Sequence, residues 1–136
     1  MRSVGVPRPP RPKRPERPDG GPELAAALAA CGERKAVDGV VLDLRGLTDA
    51  TDHFVVVSGT SETHVRAIAE HVIETLRGRG SRAHHVEGLS AGRWVLLDYL
   101  DFVVHVFQPA LREFYQLERL WGDAPRRPFE QGEARW

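Results

Sequence analysis

One cysteine, Cys31, is all the chain has, so no internal disulfide can form, and without a partner thiol the compartment implied is the reducing cytoplasm. Cys31 then reads as a small buried apolar side chain. Long apolar runs are missing as well. Nothing approaches the roughly 18 consecutive residues of a spanning helix, so a helical membrane protein is excluded and no membrane partner is expected. Net charge is also absent, with 19 basic residues against 19 acidic ones. That balance conceals a division at Gly21. Residues 1 to 21 carry Arg2, Arg8, Arg11, Lys13, Arg14 and Arg17 against Glu16 and Asp19, while positions 22 to 136 hold 13 basic and 17 acidic side chains. An acidic fold does not grip nucleic acid by neutralising phosphates. It suits docking on a basic protein.

Six of the ten prolines fall in residues 1 to 21. With few apolar residues to bury and few backbone donors, this segment is expected to be a disordered or polyproline II tail. Two readings of it stand side by side: a basic arm that touches ribonucleic acid, or a tolerated extension arising from an upstream start codon. Leu28-Ala29-Ala30-Cys31 has the form of a lipoprotein cleavage box. The run Leu24 to Ala30 is weakly apolar, however, and follows prolines and Glu23, so the better reading is a short helix opened by Pro22, with Leu24, Leu28 and Cys31 on one stripe and Gly32 closing it.

Val37 to Leu44 and Phe54 to Val57 read as strands. From the N-cap Ser61, Val65, Ile68, Ala69, Val72, Ile73 and Leu76 recur at helical spacing until Gly78 and Gly80. Arg82 to Val86, Trp94 to Tyr99 and Phe102 to Phe107 read as further strands. Pro109 then opens a last helix running to about Leu120. The order αββαβββα predicts an α/β sandwich with a mixed five-stranded sheet, formed by residues 22 to 124, with 125 to 136 as an extension.

Alternation assigns faces within the hairpin from Arg93 to Phe107. A turn of two or four residues puts Val95, Leu97, Tyr99, Phe102, Val104 and Val106 on one apolar face. Trp94, Leu96, Asp98, Val103, His105 and Phe107 then share the other; a three-residue turn breaks the grouping. Large aromatics beside an acid and a histidine suit a protein-binding patch, and a second packed layer would look the same.

Catalytic and metal readings find little. The histidines at 53, 64, 71, 84, 85 and 105 form no ligand motif, and no metal or cofactor is expected. Ser58-Gly59-Thr60-Ser61 lies between a strand and a helix but is neither a Gly-x-x-x-x-Gly-Lys loop nor a Gly-x-Ser-x-Gly elbow; a turn glycine and an N-cap serine explain it. A nucleotidyltransferase needs two carboxylates on one strand face to hold metal ions roughly 3.5 to 4 Å apart. Asp43 is followed two positions on by Arg45, and an even turn separates Asp98 from Asp101. No such pair is present, so an enzyme is not expected.

Three blocks carry a resemblance. Asp43-Leu-Arg-Gly-Leu-Thr-Asp-Ala-Thr-Asp-His-Phe-Val-Val-Val-Ser-Gly-Thr-Ser61 resembles the N-terminal signature of the ribosomal silencing factor (Iojap-like) family. Glu87-Gly88 with Trp94-Val-Leu-Leu-Asp-Tyr and Asp101-Phe-Val-Val-His-Val-Phe107 is similar to its central block. Arg112-Glu-Phe-Tyr-Gln-Leu-Glu-Arg-Leu-Trp-Gly-Asp-Ala124 is similar to its closing helix. The resemblance spans about residues 22 to 124. It implies a nucleotidyltransferase-like fold without catalytic acids and a cytoplasmic protein that works by binding. Its partner would be the large ribosomal subunit, contacted through ribosomal protein fourteen. Association with the small subunit would be blocked sterically, repressing translation when nutrients are scarce. The residues implied are Trp94, Leu96, Asp98, Tyr99, Asp101 and His105, with Tyr115 and Glu118 of the last helix. Alternation sets Tyr99 apart, on the core face. Two departures are His53, where the family often has a larger aromatic, and Leu100, where it often has glycine; non-glycine residues resist φ > 0, so the turn is open to change. A nucleotidyltransferase-type enzyme, an RNA-binding ribosome assembly factor using the tail, and a homodimer of the free protein remain as alternatives. Lying outside the resemblance, residues 1 to 21 should be dispensable. A chain lacking them is expected to sediment with large subunits as the parent does, and loss of co-sedimentation would make the arm functional.

Overall fold

The computed structural model describes residues 20 to 130 together with 133 and 134. Of the tail expected over residues 1 to 21, residues 1 to 19 lie outside the described residues. Gly21, at the end of that stretch, already belongs to the first helix, α1 (Gly21–Glu33), which Gly20 precedes in a left-handed conformation and Pro22 opens. Leu24, Leu28 and Cys31 are buried on one side of it, together with Ala27 and Ala30. Burial pushes the Cys31 thiol up to about 12, so it stays protonated and packs as a small apolar group.

Strands β1 (Val37–Asp43) and β2 (His53–Ser58) follow, then α2 (Glu62–Gly78). Helix α2 begins where Ser61 Oγ accepts the His64 amide at 3.0 Å, and Val65, Ile68, Ala69, Val72 and Leu76 form its buried stripe. Next come β3 (His85–Glu87), β4 (Trp94–Asp98), β5 (Phe102–Phe107), α3 (Pro109–Tyr115), α4 (Leu117–Leu120), β6 (Arg126–Glu130) and β7 (Glu133–Ala134). The sheet order is β3-β4-β5-β2-β1-β6-β7. Only the β2–β5 pairing is parallel among these, so the sheet is mixed, as the interleaving of helices and strands implies. No described helix is long and apolar enough to cross a membrane.

Helices α1 and α2 cover one face, closing a core that includes Val55, Val57, Val95, Leu97, Tyr99, Phe102, Val104 and Val106. The turn between β4 and β5 has two residues, Leu100 and Asp101. Tyr99 N donates to Phe102 O and Asp101 N to Tyr99 O, both at 2.9 Å. Leu100 takes φ 71° despite its side chain, a conformation that costs an L-residue roughly 1–2 kcal/mol. The Asp98 carboxylate offsets part of this by accepting Leu100 N at 2.8 Å. The even parity is therefore kept without glycine.

Three expectations are corrected. The sheet has seven strands, not five. The third strand is confined to His85–Glu87 rather than starting at Arg82. The last helix is broken at Gln116, whose φ 47° and ψ 56° are left-handed; Gln116 N closes α3 on Arg112 O, and Gln116 O opens α4 by accepting Arg119 N and Leu120 N. Neither glycine nor proline marks that break.

The added strand β6 was masked by its composition. Arg126-Arg-Pro-Phe-Glu is charged and contains a proline, which contributes no ladder donor, yet it pairs with β1 and delivers Phe129 into the helix-side core. Gly39 makes room for that ring: a Cβ there would stand 2.7 Å from Phe129 Cζ. Phe129→Ala should cost about 3–5 kcal/mol, as for other buried aromatic truncations. Urea unfolding measures it; a change below about 1 kcal/mol would mean that β6 is peripheral to the fold.

Candidate docking surface

The face of the sheet turned away from α1 and α2 is built by alternation and register. Across it run His85 and Glu87 on β3, Trp94, Leu96 and Asp98 on β4, Val103, His105 and Phe107 on β5, and Phe54, Val56 and Ser58 on β2. Its two halves differ. Over β5, β2 and β1, the α3–α4 elbow forms a second core of Val40, Leu42, Leu44, Val56, Phe107 and Ala124, on which Phe54, Trp94, Leu111, Leu117 and Trp121 pack. Over β3 and β4, Leu96, His85 and Glu87 stay partly accessible.

The break at Gln116 lets α4 turn back so that Leu117 and Trp121 reach the sheet. A polar clamp holds it there. Arg112 donates from Nε to Glu118 Oε1 at 2.9 Å, from Nη2 to Oε2 at 3.2 Å and from Nη1 to Ser58 Oγ at 3.0 Å. Arg126 Nη2 donates to Glu118 O at 2.8 Å. A fork that binds a carboxylate through two donors is among the stronger side-chain pairings.

Trp94 stands at the seam between the two halves. Its ring lies 4.7 Å from Phe107 and 4.7 Å from Tyr115, centroid to centroid, and its Nε1–H donates to His105 Nδ1 at 3.1 Å. That bond requires His105 to be neutral with its proton on Nε2. Burial holds His105 in this form, pushing its pKa down to about 3. The Nε2 atom has no hydrogen-bond partner among the described residues, a cost of about 1–3 kcal/mol for a buried donor.

The residues singled out in the sequence divide as follows. Trp94, Leu96, Asp98 and His105 share the outer face. Tyr115 joins them through Trp94, with Phe114 edge-on to it at 5.0 Å. Asp101 sits in the hairpin turn, where its carbonyl accepts the amides of Asp52 and His53. Glu118 is bound by Arg112 instead of standing clear. Tyr99 is on the opposite face, buried and stacked on Phe102 at 5.2 Å, with its phenol pushed up to about 12 by burial; it does not share a surface with Trp94.

Some neighbours of the patch escaped the sequence reading. His85 Nε2 lies 2.7 Å from Glu87 Oε2, and register sets this pair beside Asp98 and Leu96. On the elbow, Phe114 and Leu120 are 76% and 72% exposed. Alternation along β3 could have found the first pair once its register with β4 was known. Nothing in a continuous helix would have singled out the second.

The stretch Ser58 to Ser61 has structural uses: Ser58 Oγ receives Arg112, Gly59 packs where a Cβ would crowd Val65 at 2.9 Å, and Ser61 caps α2. Asp43 is engaged by Arg45, whose Nε and Nη2 donate to its two oxygens at 2.9 and 2.7 Å. Those hydrogen bonds hold its carboxyl below the usual carboxylate range. Beside it, burial lowers the pKa of His53.

Comparison with known proteins gives the family and the fold. A family model described as ribosomal silencing factor during starvation matches residues 18–135, reaching past Ala124 through β6. The chain is 41% identical over 102 residues to the ribosomal silencing factor of Bacillus subtilis, covering 75% of this chain and 86% of that protein. It is 36% identical over 74 residues to the mouse protein named mitochondrial assembly of ribosomal large subunit protein 1, covering 52% of this chain and 32% of that one. A crystal structure of a Chromobacterium violaceum protein superposes with a TM-score of 0.72 at 37% identity, over 74% of this chain and 83% of that chain.

Burial of His105 has a measurable consequence. Its folded pKa is depressed, so as pH falls below about 6.5 the unfolded chain takes up a proton that the folded one refuses until about 3. Stability should therefore decline by about 1.4 kcal/mol per pH unit across that window for this one group, and His53 acts in the same direction. Urea midpoints between pH 7 and pH 4.5 test this; His105→Phe should show a shallower decline, and an equal decline would contradict it.

Proposed function

This chain belongs to the ribosomal silencing factor family, and from that premise we propose that it docks through its outer sheet face on ribosomal protein fourteen of the large subunit. Bound there, it would block association with the small subunit by occupying the contact surface, and so repress translation when nutrients are scarce. The observation that carries this reading is Trp94, a half-buried tryptophan held at the seam of a packed and an open half-face, beside Leu96 and Asp98. An aromatic anchor with flanking polar groups is the usual composition of an interface centre. The acidic balance of residues 22 to 136 suits a basic ribosomal protein.

Binding is favoured over catalysis by the state of the acids. In a nucleotidyltransferase-like fold, a pair of carboxylates must be available for metal ions. Asp43 is committed to Arg45, and Asp98 accepts the Leu100 amide in the hairpin turn.

Truncating a central interface tryptophan typically costs 2 kcal/mol or more, so Trp94→Ala should weaken binding to isolated large subunits by about thirtyfold. Asp98→Lys should weaken it further, because it removes the carboxylate that accepts the Leu100 amide in the hairpin turn and sets a cation beside Trp94 and Leu96. Reversing the exposed acids Glu70 or Glu74 on α2 should chiefly alter the association rate and its salt dependence. Circular dichroism checks the fold of each variant. Well-folded Trp94→Ala and Asp98→Lys chains that bind like the parent would move the docking surface elsewhere.

A further inference from the structure

We propose that His105 is a positioning residue for docking, which holds the Trp94 indole in the orientation presented to the partner through the Nε1–H···Nδ1 hydrogen bond. The inference rests on the docking reading above, and it replaces the direct contact that the family resemblance implies for this histidine. Burial decides between the two roles. With 3% of its surface exposed, the His105 ring has almost nothing to offer a partner, whereas Trp94 in front of it is partly accessible.

The geometry shows how the restraint works. Trp94 is opposite Phe107 across the hairpin, and His105 is opposite Leu96, so Trp94 meets His105 on the diagonal, within reach of long side chains. The indole is confined by Phe107 and Tyr115 on its faces and by the hydrogen bond at its N–H edge. His105 is itself held, with Phe54 packed edge-on at 4.5 Å. An indole already fixed in its bound orientation loses less freedom on association.

What histidine adds at this position is specific. A phenyl ring would fill the same space against Phe54 and would leave no buried Nε2 donor unpartnered. It would not supply the acceptor for Trp94. The acceptor is the one feature of the side chain that the site uses.

The test combines a spectroscopic and a binding measurement on the full chain. In nitrogen-15-labelled protein, a scalar coupling across the hydrogen bond between Trp94 Nε1 and His105 Nδ1 is expected. His105→Phe should keep the strand resonances in place, move the Trp94 indole resonance, and weaken binding to isolated large subunits about fivefold, the ordinary worth of one hydrogen bond. His105→Asn, whose Oδ1 stands near the Nδ1 position, should restore most of both. Absence of the coupling in the parent overturns the inference, as does a His105→Phe chain that docks like the parent while Trp94→Ala docks poorly. If Trp94→Ala also docks like the parent, the docking reading itself has failed and this inference with it. Should His105→Phe not fold, His105→Asn decides: a folded chain with the parental indole resonance that docks as poorly as Trp94→Ala overturns the proposal, and one that docks like the parent supports it.

Discussion

The two-residue turn at Leu100 and Asp101 constrains everything on the outer face, because side-chain direction in a strand alternates and a slip of one residue would exchange the two faces. With that parity, Tyr99 and Phe102 enter the helix-side core while Trp94, Leu96 and Asp98 turn outward. The turn is held without glycine. Leu100 accepts a left-handed φ because the Asp98 carboxylate receives its amide and the strands pair on both sides. Asp98 thus has a structural use before any partner arrives, so charge and turn geometry at this position are linked.

A second constraint, the elbow at Gln116, decides how much of the outer face is left open. The break at Gln116 turns the chain so that Leu117 and Trp121 pack back onto Phe54 and the second core. The Arg112 fork joins both sides of the elbow to the sheet through Glu118 and Ser58. Glu118 is bound by Arg112 within the same elbow whose Tyr115 packs on Trp94. The seam where Trp94 stands is created jointly by the hairpin and the elbow, one supplying its face and the other its neighbours.

The patch also shows how residues grouped as a single binding surface can divide by depth. Trp94 and Leu96 are partly accessible, Asp98 is largely buried in its turn, and His105 is buried at the N–H edge of the indole. A neutral buried histidine contributes no charge to a basic partner. In the proposed docking, complementarity to a basic partner would come from the acids around it, including Glu87 on the neighbouring strand, which register places beside Leu96.

Much of this was legible in the sequence, where the governing interactions are local. Ser61 and the stripe from Val65 to Leu76 announced α2, Pro22 and Leu24 announced α1, and alternation from Trp94 to Phe107 assigned both faces of the hairpin once an even turn was granted. Alternation also set Tyr99 apart from the patch. The family followed from three ordered blocks of residues. What the sequence could not determine depends on long-range pairing. Arg126 to Glu130 becomes a strand because β1 offers a free edge and Gly39 a space for Phe129, against the local preference of a charged, proline-containing segment. Gln116 breaks a helix with neither glycine nor proline to mark it, since burying Leu117 and Trp121 and closing the Arg112 fork outweigh one residue's conformational cost. The burial of His105 beside Trp94 and Phe54 belongs to the same class: alternation gives the face of a side chain, but its depth is decided only by tertiary packing.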